Sequence, residues 1–256
     1  MGHERVGVLP RSRRWRAVVK EITEAATSEA GTQRVASATL WNVRRRFAGM
    51  EHDAGVQAAF GYIVGLATAH LTGDATKLIP RVDLDANPSA LALGGDLARW
   101  VSAHAESQEY AALATRAAAD AISEWTRQNS PKMELFPTHS LTADLWRRTA
   151  EGGAFSEVSR LFFAKLTERY LKYFLEREAS AELTLREREL FTARLERHVD
   201  ALSRHSFETT RIAQSFAAGW FNKHARSSRP SDESLISFLA HAFGKLRAEL
   251  ERERLG

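Results

Sequence analysis

The sequence predicts an all-α fold, a globular bundle of about ten helices forming one domain or two helical subdomains. Two observations carry that expectation. Apolar residues recur with helical spacing almost everywhere, and no run alternates with period two for long. Hydrophobic residues make up 44% of the 256 and charged ones 27%, enough for a buried core under a solvated surface.

The elements are taken in chain order. Trp15, Val18, Val19, Ile22 and Ala26 share one helical face, and Ala36, Leu40, Val43 and Phe47 share another, with Gly31 between the two helices. Residues 54–71 carry no charge over 18 positions. That length is short for a bilayer span, which needs about 20 predominantly apolar residues, so a buried central helix is expected. Gly61, Gly65 and Ala69 give it a small-residue row suited to close helix approach. The longest irregular connection is 72–87. Asn87 is expected to cap the next helix with Pro88 at its first position, and Gly94 and Gly95 to break or kink it, with Asp96 capping a second helical stretch through Leu97, Trp100 and Val101. Tyr110, Leu113, Ala117, Ala121 and Trp125 mark a further helix.

Pro131 and Pro137 set residues 131–140 apart as a connecting loop between an N-terminal part, 1–130, and a C-terminal part, 141–256. A short helix over 142–149 comes next. The strongest helix spans 157–178 and is capped by Ser156; its apolar residues cover more than half the circumference and confine Lys165, Glu168, Arg169, Lys172 and Glu176 to a narrow strip. Three more helices are expected over 183–204, 208–224 and 233–254, the last capped by Ser231 or Asp232.

Charge is distributed unevenly. Residues 1–50 hold ten Arg and Lys against four Asp and Glu, a balance of +6, while the remainder is at −2. Such asymmetry suggests that the leading end meets an anionic partner. Arg13, Arg16 and Lys20 fall opposite the apolar face of the first helix, and Arg5, Arg11 and Arg14 extend the charge around its entry. Together they suit a phosphate backbone or an acidic protein surface, although Glu21 and Glu24 interrupt the patch. Arg44, Arg45 and Arg46 fan out around a helix axis, so only Arg45 points clearly away from the core face. Trp41, its i−4 neighbour, shares that side and reads either as an interface anchor or as a residue covered by another helix of the chain.

Several chemistries lack their residues. With no cysteine, disulfides, thiol nucleophiles and iron–sulfur clusters are excluded. No HExxH or Glu-x-x-His pair, Gly-rich phosphate loop, GxSxG or SxxK pattern occurs, so neither a metal nor a cofactor is expected. Met1 and the arginines after it have no apolar run behind them, and Val6 stands where a myristoylation site has Ser or Thr; a cytoplasmic location without membrane association is the expectation.

Three phrases resemble known families. His52-Asp53 resembles the metal-binding pair of the HD phosphohydrolases, without the flanking histidines or distal aspartate. Arg46 and His52 resemble the Arg…His spacing of HEPN ribonucleases, with Phe47 where a polar residue belongs. Leu183-Thr184-Leu185-Arg186-Glu187-Arg188-Glu189-Leu190 resembles the opening of the helix-turn-helix of LuxR-type regulators, but no glycine-containing turn comes after it. The sequence therefore favours a non-catalytic binding or adaptor subunit of a cytoplasmic bacterial assembly, of the kind found in phage-defence operons. It would meet nucleic acid or an acidic protein through its basic end, as an oligomer or hetero-complex. The alternative is an all-helical nuclease or phosphohydrolase using His52, with Arg46 and Asp53 beside it.

Overall fold

The structure, a computed structural model, describes residues 49–84, 88–105, 108–130, 141–208 and 211–255, together with positions 17, 18, 20, 22, 28, 30, 31, 34, 35, 38 and 39. Among the described residues there is no strand. A 3-10 turn, Met50–His52, precedes eight α-helices: α1 Ala54–Ala67, α2 Ala90–His104, α3 Gln108–Asn129, α4 Leu141–Arg148, α5 Gly152–Glu182, α6 Leu185–Glu208, α7 Arg211–His224 and α8 Asp232–Leu255. Ahead of them, helical positions occur between 17 and 39. No helix among the described residues is long and apolar enough to cross a membrane.

The uncharged stretch becomes α1, the central helix. Asp53 caps it by accepting from the Val56 N–H at 3.0 Å, and nearly every later residue of the helix is buried. α1 packs on α2, α3, α5 and α8, and one apolar core runs continuously from Val18 to Leu246. At its centre Phe60 stacks on Phe238 of α8, with ring centroids 5.2 Å apart, and tilts against Phe162 and Phe163 of α5. Each such ring contributes about 1.5–3 kcal/mol by leaving water.

The small-residue row meets a different neighbour from the one expected. Instead of a helix, Gly61 and Gly65 receive the irregular, bent backbone of residues 78–80. A Cβ at Gly61 would stand 2.0 Å from the Leu78 carbonyl oxygen, and one at Gly65 would stand 2.7 Å from that of Pro80. That strap is tied from the other side. The Asp232 carboxylate accepts from the Thr76 hydroxyl at 2.6 Å and the Leu78 N–H at 3.0 Å. Ser231 caps α8 through the Ser234 N–H, which decides between the two expected caps and leaves Asp232 for the strap.

Three element boundaries differ from expectation. Ser89 caps α2, accepting from the Ala92 N–H at 3.2 Å, so Pro88 precedes the cap. α2 then runs unbroken through Gly94 and Gly95, because backbone hydrogen bonds continue across residues that a helix tolerates at modest cost. Asp96 does not cap a second helix. It accepts from the Tyr62 hydroxyl at 3.2 Å and from Arg99, linking α2 to α1. α5 begins at Gly152, which lies close under Ala218 of α7, and Ser156 is buried within it.

The charged strip on α5 is an internal seam. α5 is flanked by α3 and α6, and the described residues of its polar strip lie along them, Glu168 buried and Lys165, Arg169 and Lys172 partly buried. Arg169 donates to Asp120 of α3, and Lys172 pairs with both Glu168 and Glu196 of α6. Burial alone would lower the Lys172 pKa, but the two carboxylates outweigh it and hold it above its ordinary value. Arg160, fully buried on the same helix, donates from Nε and Nη2 to Glu157.

Candidate partner-binding surface

The basic end is described at a few positions, and they sort by face. Val18 and Ile22, one helical turn apart, are buried in the common core, while Ala17 and Lys20 are exposed. In the next segment Val35 and Thr39 are buried, and Arg34 is exposed. Val18 and Ile22, at i and i+4, anchor the first segment, and Lys20 between them is exposed. Arg5, Arg11, Arg13, Arg14, Arg16, Trp41, Arg45 and Arg46 lie outside the described residues, so of the candidate partner-binding set only Lys20 is placed.

The candidate catalytic pair sits at the start of α1. His52 is exposed on the 3-10 turn, and Asp53 is the α1 cap. The acid next to them turns inward: Glu51 is buried and its Oε1 meets Arg247 of α8 at 3.3 Å. The same residue's carbonyl accepts from Gln57 at 2.8 Å. The local sequence thus fixes a helix start and ties it to the C-terminal helix. Asp83 is exposed on the strap, and Asp85 lies outside the described residues. Among the described residues no group of three or more His, Asp or Glu is placed to hold a metal ion.

The phrase resembling a helix-turn-helix is a capping box. The Thr184 N–H donates to Glu187 Oε2 at 2.9 Å, and the Glu187 N–H approaches the Thr184 hydroxyl at 3.4 Å. Hydrogen bonds from the Thr184 hydroxyl, at 2.6 Å, and from the Thr184 N–H hold the Glu187 carboxyl below its usual pKa. α6 then continues without a turn to Glu208, so no second helix of a reading unit begins there.

One arrangement was not legible in the sequence. Arg229, in the turn between α7 and α8, donates from Nη1 to the Pro80 carbonyl at 2.6 Å. Its Nε and Nη2 are buried and have no acceptor. Burial pulls its pKa below the ordinary arginine value, and the charge of Arg81 adds to that effect. Only tertiary folding brings these two arginines together across 148 positions. The single sequence signal is that each adjoins a proline at the edge of an irregular segment.

None of the protein-family models, curated proteins and solved structures compared with the chain matches it.

Proposed function

We propose that the protein is a non-catalytic binding or adaptor subunit of a cytoplasmic bacterial assembly, acting within a larger complex and holding an anionic partner through its basic N-terminal segment. The observation that supports this reading is the facing of that segment. Val18 and Ile22 are seated in the core and Lys20 is exposed, which supports a segment anchored by its apolar side with a cation turned outward. The charge balance of +6 over residues 1–50 gives that side its sign. Nucleic acid and an acidic protein face both satisfy the chemistry, and a mobile-element or phage-defence operon is a setting in which such a subunit fits.

The test is a paired substitution. Arg13→Glu, Arg16→Glu and Lys20→Glu together should abolish partner capture while leaving the unfolding midpoint unchanged, whereas His52→Ala should leave capture and function intact. For a nucleic-acid partner, each phosphate contact steepens the log–log salt dependence by about 0.9 on duplex DNA. Loss of function with His52→Ala while the partner stays bound would overturn the reading.

A further inference from the structure

We propose that the Nε–Nη2 edge of Arg229, with Arg81 beside it, is a binding site for a phosphate oxyanion. The guanidinium is held from one end only. Nη1 is fixed on the Pro80 carbonyl at 2.6 Å, and the strap bearing Pro80 is itself locked between the α1 glycines and Asp232. The other edge of the fork presents two parallel N–H donors that meet no acceptor. Buried charged donors without acceptors are costly, and removing one partner of such a group is among the larger penalties a fold can carry.

The surroundings add cation where a structural role would supply an anion. Arg81, exposed, is the residue after Pro80 and carries charge of the same sign as Arg229. Asp232, the nearest acid further along the chain, accepts from Thr76 and Leu78 through Oδ1 and is not a hydrogen-bond partner of the fork. Gly73, at φ 141°, places no side chain beside Arg229, where a Cβ would come to 4.0 Å from the Arg229 Cδ. Arg81 directly follows Pro80, whose carbonyl holds Arg229, so a second guanidinium branches from the next residue, and with the bidentate edge of the first unsatisfied the arrangement matches an oxyanion with more than two oxygens. A phosphate engages the fork through one pair of oxygens and leaves further oxygens for Arg81, whereas a carboxylate has no third oxygen to offer. Arg81 and Asp74, whose charges act on Arg229, are both exposed. The site draws on neither the N-terminal arginines nor His52, and stands or falls apart from the function proposed above.

The experiment is thermal unfolding of the full chain in sodium phosphate against sodium chloride at matched ionic strength. The unmodified protein should show a saturable rise in Tm specific to phosphate, as expected for a ligand that binds only the folded state. Arg229→Lys keeps the charge and loses the fork, and should weaken the phosphate midpoint by about tenfold. Arg81→Gln, at an exposed position, should weaken it without lowering the Tm in chloride, and Asp74→Asn should strengthen it. Broadening of the phosphorus-31 resonance of inorganic phosphate by the unmodified protein but not by Arg81→Gln provides a reading that does not depend on Arg229 variants folding. A single-stranded oligonucleotide that displaces phosphate identifies a phosphodiester backbone as the source, and an oligonucleotide that does not displace it identifies a free phosphate group. An equal response to phosphate in the unmodified, Arg229→Lys and Arg81→Gln proteins would overturn the proposal.

Discussion

On α1, Gly61 and Gly65 lie so close to the strap that added Cβ atoms would stand 2.0 and 2.7 Å from backbone carbonyl oxygens; on α2, a Cβ at Gly94 would meet nothing within 4 Å and one at Gly95 only the tip of Arg99. Both pairs sit inside unbroken helices, where glycine costs about 0.5–1 kcal/mol relative to alanine. In α1 that cost is offset by a backbone approach that no other residue permits. In α2 nothing within the described chain offsets it. Glycine in a helix is therefore not one signal but two, and the neighbour decides which.

The comparison can be broken at several points. Gly61→Ala should have the largest effect, a loss of about 3 kcal/mol, because the obstructing atom is backbone held by Asp232 and cannot swing aside. A drop in the urea midpoint with unchanged slope would register it. Gly65→Ala should cost less, about 2 kcal/mol, since its contact with Pro80 is looser. If both substitutions are neutral, the strap does not lie in the glycine notch.

Lys172→Met tests the other interior device, the ion-pair seam of α5, and should cost about 1–2 kcal/mol by leaving Glu168 and Glu196 short of a cation. It should also change the pH profile. Burial acts to raise the Glu196 pKa, but Lys172 outweighs it and the folded value lies below the ordinary one. Its contribution is thus present above about pH 4–5 and lost as pH falls through the depressed value. Lys172 has the opposite sign: its pKa is raised, so its contribution is full below about pH 10 and lost as pH rises through the folded value. The substituted protein should show shallower losses of Tm at both extremes. Gly94→Ala and Gly95→Ala should have the smallest effects and the reverse sign, each raising stability by about 0.5–1 kcal/mol in the same urea titration. Destabilisation by either would mean that α2 has a close neighbour at those positions.

Much of the helical layout was readable from the chain. The apolar period located α3, α6, α7 and α8 to within a few residues, and the aromatic wheel of α5 foretold a helix covered on several sides. Capping was harder to read, because Asn87, Ser89, Ser231 and Asp232 are all competent caps and the choice depends on where the backbone turns. The strip on α5 was legible as charged and not as buried: helical spacing puts Lys165, Glu168 and Lys172 together, but α6 is what covers them. For the candidate site, the sequence supplied the sign of the charge and the facing of Lys20. Its one hint of Arg229 and Arg81 was that each adjoins a proline, and the approach of Arg229 to the Pro80 carbonyl requires the strap to cross α1.

Local spacing alone determined that this chain is helical and which side of most helices turns inward, since a period of 3.6 residues is set within each segment. Tertiary structure alone decided what lies on each side: a strap over Gly61 and Gly65, a carboxylate 154 positions away holding Leu78, and a guanidinium edge left without an acceptor. The reason is physical. Turn-to-turn periodicity is written in neighbouring residues, whereas close approach and hydrogen-bond satisfaction between distant segments exist only once the core has packed.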